Sequence, residues 1–225
     1  MSLTTNLTAY YKLDGNSTDS VGAINGSDTD VTYSVANGKI IQGAGFNGTT
    51  SQVSLGDNFD QSSDFSVSAW VKTTQSADEY GIFTKGGLAG GNYQWGLMQS
   101  TTNLWWQLWE QGGSNYLGLI TSATINDGNW HHVAGTYNNG TTTMIAYIDG
   151  VNAGSNNTPS GTWYTNGASV AMIGNREDGK FFNGSIDEVG LWSRTLTPTE
   201  ILQLYNNGSG LQYPFTATSS FLMFM

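Results

Sequence analysis

The chain has 225 residues with 30 glycines, three prolines and no cysteine, and 17 acidic side chains against seven basic ones give a net charge of −10. The lack of cysteine excludes disulfides, thiol catalysis and thiolate zinc sites. Scattered basic residues in an acidic chain leave no electrostatic footprint for nucleic acid or an anionic membrane, and no segment approaches the roughly 20 apolar residues of a membrane span.

Taken in order, Leu7 to Leu13 reads as a strand that runs into the turn Asp14-Gly15-Asn16. Asp19-Ser20-Val21-Gly22 is a second turn, rich in oxygen ligands, and Asn25-Gly26 a third. Ser27 to Tyr33 is an edge strand, and residues 43–48 and 52–55 form a strand, a turn and a strand. Phe65, Val67, Ala69 and Val71 alternate with Ser66, Ser68, Trp70 and Lys72, the period of a strand with two distinct faces. Strands are predicted over 80–85 and 93–99 around a glycine-rich loop, then over 103–110 and 116–121 across Gly112-Gly113-Ser114. Trp130 to Tyr137 and Thr143 to Ile148 flank the turn Asn138-Asn139-Gly140, and Asp149-Gly150 makes a two-residue hairpin.

The last strands cover 170–174 and 182–192. In the second of these, regular alternation places Ile186, Glu188, Gly190 and Trp192 on one face and Asp187, Val189 and Leu191 on the other. The one clear helix start follows: Thr197 as N-cap, Pro198 at the first helical position and Glu200 completing a capping box. Ile201, Leu202, Leu204 and Tyr205 supply its apolar face, Asn206-Asn207-Gly208 ends it, and it is expected to plug an open end of the fold.

About a dozen short strands with evenly spaced turns and no crossover helix predict an all-β fold, an antiparallel two-sheet β-sandwich with one short C-terminal helix. No fixed-period repeat favours a propeller or solenoid. The domain is expected over residues 1–213, with 214–225 as an apolar tail whose end, Phe221 to Met225, suits docking onto its own sheet or onto neighbouring virion or surface proteins. The first residues show neither the basic nor the apolar region of a signal peptide. Extracellular or virion-surface placement is therefore expected either through a leader not seen here or by release without one.

The ordered set of blocks resembles the laminin-G-like, concanavalin-A-like jelly-roll lectin family of bacterial and phage surface proteins. The matching pieces are Tyr10-Tyr11-Lys12-Leu13-Asp14-Gly15, Asp19-Ser20-Val21-Gly22, Phe65 to Val71, Trp130 to Tyr137, Tyr147-Ile148-Asp149-Gly150 and Gly184 to Val189. The resemblance implies two antiparallel sheets face to face and, in many members, a calcium ion near the sheet edge. The positions that match are Asp19 and Asp187, with Asp14 as helper, and oxygen ligands of this kind suit calcium. The same aspartates also serve as caps of turns and acceptors of backbone amides.

Two clusters of chemistry remain. Asp187-Glu188 is a carboxylate pair, but regular alternation points the two apart, so they do not flank one glycosidic bond; the adjacent His131 and His132 likewise diverge, and no enzyme is expected. In 104–109, Leu104, Trp106 and Leu108 form a credible core face, leaving Trp105, Gln107 and Trp109 opposite, the Cα atoms of the two tryptophans about 13 Å apart by strand rise. Indoles flanking an amide suit a glycan, with rings on the sugar C–H face and Gln107 on its hydroxyls, extended by Tyr116 and Trp163. A protein–protein contact or plain packing are the other roles open to this face. The expected function is non-catalytic carbohydrate binding and adhesion at a bacterial or virion surface, the alternative a structural virion component assembled through its tail.

Overall fold

The computed structural model describes residues 1–76, 78–87, 93–109, 116–157 and 168–216. Its strands are β1 (Leu7–Tyr11), β2 (Ser27–Thr29), β3 (Thr32–Ser34), β4 (Gly43–Asn47), β5 (Gln52–Ser54), β6 (Phe65–Lys72), β7 (Glu79–Lys85) and β8 (Trp95–Ser100). They continue as β9 (Asn103–Trp109), β10 (Tyr116–Thr124), β11 (Trp130–Asn138), β12 (Thr143–Ile148), β13 (Val151–Asn156), β14 (Ala171–Ile173) and β15 (Asn183–Trp192), and an α-helix, α1 (Pro198–Tyr205), follows. One sheet has the order β13-β12-β11-β6-β15-β4-β3, with β1 added to β15 beyond β4; the other has the order β10-β9-β8-β7-β14-β5-β2. All pairings are antiparallel. This is the expected two-sheet β-sandwich.

Period-two alternation builds the core. Phe65, Val67, Ala69 and Val71 of β6 meet Leu104, Trp106 and Leu108 of β9 in one buried cluster between the sheets. Trp106 reaches across the interface, donating its Nε1–H to the Thr136 carbonyl at 3.1 Å. Its indole lies flat on Gly135, where a methyl group would stand within 2.7 Å of several ring atoms.

The outer face of the β6-containing sheet is buried as well, by both ends of the chain. Leu3, Tyr10, Ala134, Tyr147, Trp192, Leu196, Ile201 and Leu204 form a second apolar cluster with Leu211, Tyr213 and Phe215 against it. The helix therefore lies on a sheet face instead of plugging an open end, because Trp70, Ala134 and Tyr147 present apolar surface there: Tyr205 stacks on Trp70 at 5.8 Å. The predicted capping box is present, with Thr197 Oγ1 accepting from the Glu200 amide and Glu200 accepting from the Thr197 amide at 2.9 Å. Phe215 stacks on Trp192, and residues 217–225, Phe221 to Met225 among them, lie outside the described residues.

β15 breaks the expected alternation. Its pairing with β6 shifts register between Asp187 and Gly190, and Glu188 adopts φ of +51°, the left-handed region. This bulge resets the pleat. Ile186, Val189 and Leu191 all point into the core, whereas Glu188 joins Asp187 on the outer side. There Glu188 accepts from Tyr10 Oη at 2.5 Å and from Gln212 Nε2 at 2.6 Å. Asp187 accepts from the backbone amides of Lys39, Ile40 and Glu188. Both carboxyls are buried, Glu188 against Gln212 and Asp187 against the Lys39–Ile40 backbone, and burial pushes each up to about 8, with mutual repulsion adding to the effect at Asp187.

Two outcomes follow from this packing. Gly135→Ala drives a methyl into the Trp106 ring and should cost about 1–3 kcal/mol of stability by urea unfolding; an unchanged midpoint would refute the close indole–glycine contact. A carboxyl raised on folding keeps a proton that the unfolded chain has already lost, so the native state binds more protons between the ordinary value near 4.5 and about 8. Stability should accordingly fall as pH rises through that window, and Glu188→Gln should flatten the slope of melting temperature against pH.

Candidate functional site

The remaining sheet face is the outer side of β7 to β10. With Leu104, Trp106 and Leu108 fixed inward, Trp105, Gln107 and Trp109 of β9 point outward, as alternation requires. Cross-strand register assigns their neighbours. Trp105 lies between Met98 of β8 and Ile120 of β10, Gln107 lies between Gly96 and Gly118, and Trp109 pairs with Tyr116. The row through Gln107 therefore has a glycine on each side, while the row beside it carries bulky side chains.

This face is no open platform. Trp105 is 5% exposed and Gln107 wholly buried, and Trp109 is half-buried. Tyr93 and Met98 are buried with Trp105 in a small apolar cluster that Trp109 abuts; the Tyr93 and Trp109 rings meet edge to face at 5.6 Å. The Tyr93 hydroxyl donates to Met98 Sδ at 3.0 Å, and burial raises its phenol above the usual range. Gln107 differs from all of these. Both its Oε1 and its Nε2 are buried with no hydrogen-bond partner among the described residues, and a buried amide left unpaired costs about 1–3 kcal/mol per group.

Behind Tyr93 stands Arg176, 1% exposed. Its guanidinium forks onto Asp178, Nε to Oδ1 at 2.6 Å and Nη2 to Oδ2 at 3.0 Å, and Nη1 reaches Glu79 at 2.9 Å and Met98 Sδ at 3.8 Å. Burial alone would lower the arginine; the bonds to Asp178 and Glu79 outweigh it and hold the cation firmly charged. The Asn175–Arg176 backbone lies directly on Gly81 of β7, where any β-carbon would overlap the Asn175 carbonyl. Asn175 donates to Gln52 Oε1 at 2.7 Å, and its own Oδ1 is buried without a partner among the described residues.

The structure thus brings Trp105, Gln107 and Trp109 onto one face and sets the Tyr116 backbone opposite Trp109; Trp163 lies outside the described residues. Tyr93, Met98 and Arg176 were not foreseen from sequence. The signal for Met98 was available in the alternation of Trp95, Gly96, Leu97 and Met98, but nothing local marks Arg176, which arrives from a loop about 80 residues downstream.

The aspartates matched to calcium do not converge. Asp14 accepts from the Gln42 amide at 3.0 Å and from Gln212 Nε2 at 2.8 Å, and Asp187 is engaged by three amides. Hydrogens directed at these oxygens occupy the positions a cation needs, so this trio does not fit a calcium cage. Asp19 is different: Oδ1 accepts from the Tyr10 and Val21 amides, both at 3.0 Å, while buried Oδ2 has no partner among the described residues. A methyl placed on Gly22 would stand 2.6 Å from that oxygen and 3.0 Å from the Thr8 carbonyl, so the two oxygens border one small space. Among the described residues no three acidic or histidine side chains gather as a metal-holding group. The histidines diverge: His131 bonds Asp149 at 2.8 Å and Asp127 at 3.1 Å, whereas His132 is buried against Trp70, and that burial lowers it to about 4.

Among solved structures, the chain is similar to the binding domain of Paraclostridial Mosquitocidal Protein 1, at 21% identity and a TM-score of 0.73, over 92% of this chain and 53% of that one. It is similar to domain 4 of AbnA, a GH43 extracellular arabinanase from Geobacillus stearothermophilus in complex with arabinotriose, at 27% identity and a TM-score of 0.71, over 88% and 97% of the two chains. The binding domain of Botulinum Neurotoxin DC in complex with SialylT matches at 16% identity and a TM-score of 0.71, over 91% and 52%. The chain thus spans about half the length of the toxin domains and nearly all of the arabinanase domain. Comparison with curated protein sequences gives no match. No helix among the described residues is long and apolar enough to cross a membrane. Residues 47–202, well over half of the chain, match the Laminin_G_3 model, and the chain belongs to the concanavalin A-like lectin/glucanase superfamily.

Proposed function

We propose that this protein is a non-catalytic carbohydrate-binding domain acting outside the cell, in adhesion at a bacterial or virion surface, and that its site is the outer face of β8 to β10. The observation that carries this reading is the Gln107 amide. It is buried on the strand that carries Trp105 and Trp109, with donor and acceptor both without a partner among the described residues, and a vicinal diol offers the complementary acceptor and donor in one rigid unit. Trp105 and Trp109 flank it on the same strand and supply the apolar surface that sugar C–H faces need. Similarity to an arabinanase domain in complex with arabinotriose supports a glycan as the ligand class. The buried acids support a binding role over hydrolysis, since Asp187 and Glu188 lie on the opposite sheet, buried and engaged by the Lys39 and Ile40 amides and by Gln212.

Calcium enters this reading at one place, the early turn, with Asp19 Oδ2 as its carboxylate oxygen and the Thr8 carbonyl beside it. An ion bound only by the native state must stabilise it by mass action. Melting temperature should rise with added calcium and fall with EDTA, and Asp19→Asn should remove the difference; a wild-type melt that neither treatment moves would eliminate the ion.

On a glycan array the wild type should retain a defined set of sugars. Gln107→Ala and Trp109→Ala should each weaken binding by about 10- to 100-fold, in line with 1–3 kcal/mol for a lost hydrogen-bonding pair or stacked ring. Wild-type binding to nothing on the array, or variants that bind as well as the wild type, would sink the proposal.

A further inference from the structure

The two adjacent histidines lie outside the proposed site and turn to opposite sides of β11. His132 packs against Trp70 on the outer side, where burial lowers it to about 4 and keeps its ring neutral near neutrality. His131 pairs with Val71, a core residue of β6, and so turns the other way. It stands at the start of β11, where the chain has just passed from β10 in one sheet to β11 in the other.

Both nitrogens of the His131 ring meet carboxylate oxygens. Nδ1 lies 2.8 Å from Asp149 Oδ2, and Nε2 lies 3.1 Å from Asp127 Oδ1. A neutral imidazole carries one N–H and one lone pair, and a lone pair aimed at a carboxylate repels it, so the imidazolium alone satisfies both contacts. The two carboxylates are themselves fixed. Asp127, in the β10–β11 connection, accepts from the Asn129 amide at 2.8 Å and from its side chain at 2.9 Å. Asp149, in the β12–β13 hairpin, accepts from the His132 amide through its other oxygen at 2.9 Å, and its own amide donates to the His132 carbonyl at 2.8 Å. The hairpin in turn rests on the helix, since a methyl on Gly150 would stand 2.9 Å from Leu202 of α1. On the β6 side the ring meets the Val71 position, while the neighbouring Lys72 pairs with Trp130 and turns to the opposite face. One cation is thus gripped by two anions from two separate loops.

We infer that His131 is an acid-closed clamp: as the imidazolium it ties the connection between the two sheets to the β12–β13 hairpin, and loss of its proton releases that connection. The bond to Asp149, joined by the one to Asp127, outweighs the partial burial of the ring and holds its proton above the ordinary value of 6.5. A group raised on folding contributes its full stabilisation below its unfolded value and loses it as pH rises through the folded one. The clamp is therefore shut below about pH 6.5 and opens above it, at the raised value. Opening is local, because Ile125 stays buried and anchored by its amide to the Thr102 carbonyl at 2.8 Å, so the part released is 126–129.

The test is an NMR titration of the full chain from about pH 5 to about pH 9, in which two imidazoles report. At about pH 6 the nitrogen shifts of the His131 ring should be those of an imidazolium at both positions, and the ring should titrate above 6.5; the His132 ring should stay neutral throughout. Exchange of the Asn129 and His132 amides, corrected for its intrinsic pH dependence, should be about tenfold faster at the alkaline end than at pH 6, as for one lost hydrogen bond to a charged group. Amides of the β6–β11 ladder should change by less than about threefold, which separates local release from general loss of stability. Asp127→Asn should lower the His131 titration and shrink the difference in exchange, and His131→Gln should abolish that difference, whereas Glu188→Gln should leave both readouts as in the wild type. A His131 ring that is neutral at about pH 6, a titration at or below 6.5, or equal exchange at the two ends of the range would each overturn the clamp. Should the Asp127 or His131 variant fail to fold, the wild-type titration and exchange decide alone.

Discussion

Everything outward of the sandwich depends on how one indole is seated between the sheets. Trp106 lies flat on Gly135 and is tied to the Thr136 carbonyl, and that fixes the register of β9 against the opposite sheet. A one-residue slip would exchange the two faces of the strand. Leu104 and Leu108 would leave the core, and Gln107 would be driven into an interface of apolar side chains. The placement of Trp105, Gln107 and Trp109 on the far side is thus set by core packing, and the face proposed to bind inherits its accuracy from a contact it does not share.

The sandwich has an apolar interior and two outer faces that are covered by different means. On the β6 side the covering is chain itself: the N-terminal residues, the helix and the 210–216 segment lie on Trp70, Tyr147 and Trp192. That layer is compatible with two buried carboxyls because each oxygen has hydrogen-bond donors, from Tyr10, Gln212 or backbone amides. On the β9 side the covering includes a cluster of side chains braced by Arg176, and the Gln107 amide beside it has no partner among the described residues. Buried polar groups in native proteins nearly always find partners, and each face keeps an exception among the described residues: the Gln107 amide on the β9 side and Nδ1 of His132, against Trp70, on the β6 side.

Sequence carried the fold far because the strands of the core are strictly periodic. Phe65 to Val71 and Leu104 to Trp109 have one polarity pattern each, and the Thr197–Glu200 box has a local cause that needs no tertiary context. It carried less at β15, where periodicity is interrupted. A bulge shows no signature in the residues Asp187-Glu188-Val189, all compatible with a regular strand, and the turn of Glu188 to positive φ is stabilised by Tyr10 and Gln212, which are distant in sequence. The aromatic stripe on β9 was legible for the same reason as the core. Its burial was not, since Tyr93 and Arg176 meet it only through folding, and a lone arginine in a loop has no pattern to read.

The two ends of the described chain come together on one side of the molecule. Trp192 donates its Nε1–H to the Leu3 carbonyl at 2.7 Å while Phe215 stacks on the same indole, and Gln212 ties the first turn, through Asp14, to the last strand, through Glu188. Residues near both ends of the described chain thus lie on the outer face of the β6 sheet, on the other sheet from Gln107. Each end is thus held by an indole that the other also covers, so loosening one would uncover the ring on which the other rests.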